Sequence, residues 1–182
     1  EFCEEAESKL SETGVKILVN SQVKSILGDD EVTGVRLVGG TEIKADMVIL
    51  AIGALPNTQL AKEAGLQLGY KDAIKTNRYM QTYTDPDIFA CGDCAEKHGF
   101  FSGTSMPAML ASIATSEARI AGSNLYSPIH QNFGTISVFS TMINGRAFAV
   151  AGLTERVARS RNMNIVIGTA EAADTHPGGM PN

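Results

Sequence analysis

No tryptophan occurs in this chain of 182 residues, and no apolar run is long enough to cross a bilayer as a helix. Basic blocks are also missing: 15 lysines and arginines against 20 acidic side chains give a formal charge of -5. That balance argues against nucleic acid or an anionic membrane surface as partner. Cysteine is scarce, and Cys3, Cys91 and Cys94 make an odd, irregularly spaced set. They exclude the framework of a secreted disulfide scaffold and fit a reducing, cytoplasmic compartment. None of the 18 glycines stands in a Gly-x-Gly-x-x-Gly arrangement, so the strand-turn-helix that receives a pyrophosphate on helix amides is not encoded here. A hydrophobic content of 43% is ordinary for a globular α/β protein.

What is present centres on residues 83–96, YTDPDIFACGDCAE. Asp85, Pro86 and Asp87 supply turn chemistry, and residues 88–91 form an apolar run of strand length. The run closes on Gly92 and Asp93. A glycine at a strand end lets a bulky group approach the backbone, and the carboxylate beyond it can accept hydrogen bonds from ligand hydroxyls. In open α/β sheets ligands lie beyond the carboxyl ends of strands, which is where this carboxylate falls. A second apolar run, residues 47–52, also closes on glycine, Gly53, and leads into Ala54, Leu55, Pro56 and Asn57.

The stretches MVILAIGALPNT, NRYMQTYTDPDIFACGDCAE, AVAGLTERVA and HPGGMP occur here in that order. Together they resemble the flavin-dependent pyridine nucleotide-disulfide oxidoreductases, in the branch of NADH oxidase, NADH peroxidase and coenzyme A-disulfide reductase. The resemblance implies FAD and NAD(P)H as cofactors, and hydride passing from NAD(P)H to FAD and on to oxygen, peroxide or a disulfide. It implies that Asp93, next to Gly92, accepts a hydrogen bond from the ribityl chain of FAD. Ala108, Met109 and Leu110, taken as the first turn of the following helix, would lie against the flavin. Gly53 would bring the nicotinamide cofactor close to the backbone. The resemblance assigns catalysis to a redox cysteine outside these residues and implies neither a metal nor a nucleic-acid or membrane partner. Family members carry two glycine fingerprints in their first half, so this chain is expected to be the C-terminal portion of a longer enzyme, inactive alone.

The fold class expected is α/β: a partial FAD/NAD(P)-binding Rossmann-like, three-layer fold followed by the start of an α+β dimerisation domain. Residues 1–56 would end the NAD(P)-binding domain, 57–131 would end the FAD-binding domain, and 132–182 would begin the dimerisation domain. A homodimer or higher homo-oligomer follows, because apolar strands with open edges need covering. Locally, the pattern predicts a helix over 2–13 stopped by Gly14 and strands over 15–19, 22–27, 32–38, 41–45 and 47–52. Next come a short helix capped by Asn57 and ended by Gly65, and an edge strand over 74–80. Ser105 is expected to cap a helix running to Leu125 with Met106, Leu110, Ile113, Ala114, Ala118 and Ala121 inward. Strands over 136–141 and 147–151 around Asn144-Gly145, a helix capped by Thr154, and a strand over 164–169 complete the pattern.

Other chemistry competes at the same place. Cys91 and Cys94 form a Cys-x-x-Cys that could act as a dithiol oxidoreductase pair, or bind zinc with His98 as the nearest further ligand. Both rank below a coincidental pairing around Asp93. A noncatalytic cofactor-binding or dimerisation fragment is the remaining alternative. His98, His130 and His176 lack partners at catalytic spacing, and Arg156, Arg159 and Arg161 read as a solvated helix face.

Overall fold

The computed structural model describes residues 2–171, so His176 and the stretch 176–181 lie outside the described residues. Helix α1 (Phe2–Glu12) ends where expected, with Gly14 at φ +84 donating its N–H to the Ser11 carbonyl at 3.0 Å. Strands β1 (Val23–Leu27), β2 (Gly34–Leu37) and β3 (Glu42–Lys44) make an antiparallel sheet in that order. Position 34 must be glycine, since a Cβ there would meet the Ile43 carbonyl oxygen at 2.3 Å.

Residues 15–19 and 47–52, both expected as strands, have no ladder partner among the described residues. Ile49 is 81% and Ile52 91% exposed. A run apolar on both faces belongs inside a sheet, between neighbours that these residues do not provide.

Helix α2 (Gln59–Glu63) begins one residue later than expected, at Thr58 rather than Asn57. The Thr58 hydroxyl does not cap the helix but donates to the Asp72 carbonyl at 2.8 Å, tying it to the single turn Tyr70–Asp72. Gly65, at φ +74, ends the helix as expected.

The core forms where residues 66–96 fold back on themselves. Leu68 bridges Ile74, Ile74 bridges Ala95 in parallel, Thr76 bridges Thr82, and Gln81 bridges Phe89. The edge strand expected over 74–80 and the strand over 88–91 are thus reduced to single bridges. Asn77 turns the chain by accepting the N–H groups of Tyr79 and Gln81 at 2.8 and 3.2 Å, which drops Met80 into the centre at 1% exposure. Around Met80 lie Ala61, Ile74, Ala90, Ala95 and Ala121. With side chains this small, the core depends on close backbone approach.

After the turn Gly92–Cys94, β4 (Lys97–His98) pairs antiparallel with β5 (Ser105–Met106), and α3 (Ala111–Asn124) follows. The expected helix therefore starts six residues later than Ser105. Ser105 is paired to His98 across the hairpin, and its hydroxyl donates to the Glu96 carboxylate at 2.8 Å instead of capping a helix. Ala108, Met109 and Leu110 correspondingly precede the first turn, with Leu110 extended at the N-cap. The inward face of α3 is Ile113, Glu117, Ala121 and Asn124, and the expected inward Ala118 is exposed.

Strands β6 (Val138–Ile143) and β7 (Arg146–Ala151) form the expected hairpin. Asn144 and Gly145, at φ 46 and 76, make the turn whose twist suits it. Thr154 caps α4 (Glu155–Ser160), accepting from the Val157 N–H at 3.4 Å. The strand expected over 164–169 has no partner among the described residues. No helix among the described residues is long and apolar enough to cross a membrane.

Asn124 closes α3 onto the chain that follows. Its amide donates to the carbonyls of Tyr79 and His130 at 3.1 and 2.7 Å, and its oxygen accepts from Ile129 and His130 at 2.8 and 2.9 Å. At 2% exposure it shields these bonds from water. Asn124→Ala leaves several part-buried backbone groups without their partner and should lower stability by about 1–3 kcal/mol. Chemical denaturation of the full-length protein checks this, and an unchanged midpoint would contradict it.

Candidate functional site

The best-formed cleft among the described residues has a volume of about 320 Å³ and gathers residues far apart in sequence. Ala54 and Pro56 come from the segment after the apolar run, Tyr70, Lys71 and Ala73 from the turn beyond α2, and Asp93, Ala95, Glu96 and Lys97 from the central turn and the strand after it. Met106, Pro107, Ala108 and Met109 come from the approach to α3. Of the residues singled out in the sequence, Asp93, Ala108 and Met109 thus share one wall system. Leu110 and Gly53 adjoin it without lining it, and Gly92 lies buried behind it. Gly53, at φ +102, faces open space.

Asp93 is exposed, and its carboxylate has no hydrogen-bond or ion-pair partner among the described residues. The turn beneath it is anchored on both sides. Gly92 donates its N–H to Glu117 Oε2 of α3 at 2.9 Å. Lys97 Nζ donates to the carbonyls of Gly92 and Ala95, the latter at 2.8 Å, and pairs with Glu117 Oε2 at 2.9 Å. The Lys97 and Glu117 side chains are 3% and 4% exposed. Gly92 adopts φ +73, and a Cβ there would touch that of Ala114 at 3.4 Å. The alanines of α3 therefore admit a backbone, here the chain's own turn. Glu96 braces the other side, accepting from the Tyr70 N–H at 2.9 Å and from the Ser105 hydroxyl. Neither Lys97 nor Glu117 stands out in the sequence. The only signal is Glu117 at i, i+4 spacing from both Ile113 and Ala121, on the face that small and apolar residues mark as buried.

An acceptor-only carboxylate on a rigid turn, in a cleft walled by alanines, can hold a polyhydroxylated or ribose-like segment of a flat ligand. Such an acceptor fits the hydroxyl donors of the sugar-alcohol chain of a flavin dinucleotide.

Residues 1–118 match the family described as pyridine nucleotide-disulphide oxidoreductase. An NADH oxidase of Methanocaldococcus jannaschii is 32% identical over 182 residues, 98% of this chain and 40% of that protein. A CoA-dependent NAD(P)H sulfur oxidoreductase of Pyrococcus furiosus is 33% identical over 79% of this chain and 32% of its own length. Among solved structures, an FAD-dependent pyridine nucleotide-disulphide oxidoreductase from Desulfovibrio vulgaris superposes with a TM-score of 0.78 at 31% identity, covering 87% of this chain and 40% of that one. An NAD-dependent persulfide reductase from A. fulgidus gives 0.82 at 29% identity, over 90% of this chain and 30% of that one. The chain spans about two fifths or less of the length of these relatives. The likeness bears out the expected resemblance and the α/β class, a fragment of a Rossmann-like fold.

Cys91 and Cys94 flank Asp93 as free thiols, and Cys94 Sγ donates to the Cys91 carbonyl at 3.3 Å. Burial pushes the Cys91 thiol above its ordinary value of 9.0, Cys94 and Glu117 add to the rise, and Lys97 opposes it. A reactive dithiol needs the opposite shift. The folded state favours the protonated thiol, so its contribution to stability is complete below pH 9.0 and is lost as pH climbs through the higher folded value. At pH 8, iodoacetamide should label the half-buried Cys91 more slowly than the exposed Cys3. Peptide mapping reads the two rates, and equal labelling would refute the assignment.

Proposed function

The chain belongs to the pyridine nucleotide-disulphide oxidoreductase family, and on that premise we propose that it forms part of an FAD-dependent NAD(P)H oxidoreductase. Its type is that of an NADH oxidase or a coenzyme A-disulfide reductase, with oxygen, peroxide or a disulfide as acceptor. The observation that carries the reading is Asp93, an unpartnered carboxylate at the edge of a cleft, on a turn whose backbone is held from within. The D. vulgaris relative, described as FAD-dependent, adds support.

When bound, FAD supplies hydride acceptance from NAD(P)H and onward electron transfer, while the protein supplies position and electrostatics. Asp93 accepts hydrogen bonds from hydroxyls of the ribityl chain. Ala108 and Met109 offer a low wall against which a flat ring packs, and Leu110 sets the start of α3. The amides of that first turn carry partial positive charge and favour negative charge developing beside them. Gly53 leaves the backbone open to the nicotinamide cofactor.

Residues 1–56 belong in this reading to the NAD(P)-binding domain, 57–131 to the FAD-binding domain and 132–182 to a dimerisation domain. The complete enzyme is a cytoplasmic homodimer or higher homo-oligomer, and the 182 residues alone do not oxidise NADH. The exposed apolar run at 47–52 supports the need for further strands beside these residues, since it calls for neighbours on each side.

In the full-length protein, Asp93→Ala should weaken FAD binding by about 1.5–3 kcal/mol, the worth of a hydrogen bond to a charged acceptor, with the fold retained. Flavin absorbance after purification and titration of the stripped protein give the measurement. Unchanged affinity would remove Asp93 from the site.

A further inference from the structure

We propose that Lys97 and Glu117 are positioning residues that aim Asp93, so that the buried ion pair fastened to its turn governs how tightly FAD is held. The inference rests on the reading of Asp93 as the flavin acceptor. Burying two charges is costly, and a well-packed apolar pair of the same volume often serves stability as well or better. What an apolar pair cannot do is hold a backbone. Here the polar atoms of the pair are used on the turn itself: Glu117 Oε2 accepts from the Gly92 N–H at 2.9 Å, and Lys97 Nζ donates to the carbonyls of Gly92 and Ala95. These anchors fall on both sides of Asp93, in the residue before it and two residues after it.

The Asp93 carboxylate has no partner of its own among the described residues. Its direction is therefore inherited from the backbone on which it stands. The left-handed backbone of Gly92, at φ +73, and its contact distance to Ala114 leave that turn little alternative seat against α3. A carboxylate moved by a fraction of an ångström would meet the ligand hydroxyls at poor angles, where hydrogen bonds weaken steeply.

Single substitutions would leave one buried charge unpaired, so the test uses neutral pairs in the full-length protein. Lys97→Met with Glu117→Gln removes the ion pair and the lysine donors but keeps an acceptor for the Gly92 N–H. Lys97→Met with Glu117→Leu removes that acceptor too. Titrating flavin-stripped protein with FAD should show about tenfold weaker binding for the first pair and a larger loss for the second. Introduced into Asp93→Ala protein, the same pairs should cost almost nothing further, because their effect runs through Asp93. A purely structural role would instead lower affinity by the same factor in both backgrounds. That outcome, or tight FAD binding by the first pair with Asp93 present, overturns the proposal. If Asp93→Ala alone binds FAD normally, the flavin reading itself fails. Should the Met/Leu protein not fold, the Met/Gln protein still decides the question.

Discussion

Two opposite charges 2.9 Å apart, both withdrawn from water, are the constraint on which the centre of this molecule depends. Lys97 lies on a two-residue strand and Glu117 in the middle of a helix, and the turn between Gly92 and Ala95 is fastened to both. An unpaired charge at such burial would be strongly destabilising, so each member requires the other. The hairpin of β4 and β5, the seating of α3 and the placement of Asp93 are consequently one arrangement.

That arrangement works because the surrounding side chains are small. Ala61, Ala90, Ala95 and Ala121 surround Met80, and Ala114 receives Gly92. Backbone groups here pair with one another across short bridges, as Ile74 N–H does with the Cys94 carbonyl at 2.8 Å, and side chains must satisfy the rest. Asn77, Glu96 and Asn124 do so, each joining segments of irregular backbone. Isolated bridges replace strands throughout residues 68–95.

Charge and chemistry are separated by this design. The buried pair is used on backbone, while the exposed carboxylate of Asp93 has no partner among the described residues. The thiols on either side are drawn into the structure, Cys94 through its bond to the Cys91 carbonyl and Cys91 through partial burial that pushes its pKa up. A Cys-x-x-Cys spacing is therefore poor evidence of redox chemistry where the shift runs upward.

Local signals were sufficient wherever structure is decided by neighbours in sequence. Helix α1 with its Gly14 stop, the Asn144-Gly145 hairpin, the Thr154 cap and the Gly92-Asp93 turn are all readable from residue order, because capping and left-handed turns are short-range geometry. Motif order likewise carried the family. Long-range partners decided the rest. Ser105 has every local mark of an N-cap yet pairs with His98 and donates to Glu96, since a hairpin outbids a cap once Glu96 is buried beside it. Residues 47–52 have a strand's composition but no ladder among the described residues, because pairing belongs to neighbours and not to the run itself. Lys97 and Glu117, twenty residues apart, look like ordinary surface charges in sequence. Only folding puts them within 2.9 Å, because a buried charge is tolerable only where tertiary structure brings its counterpart.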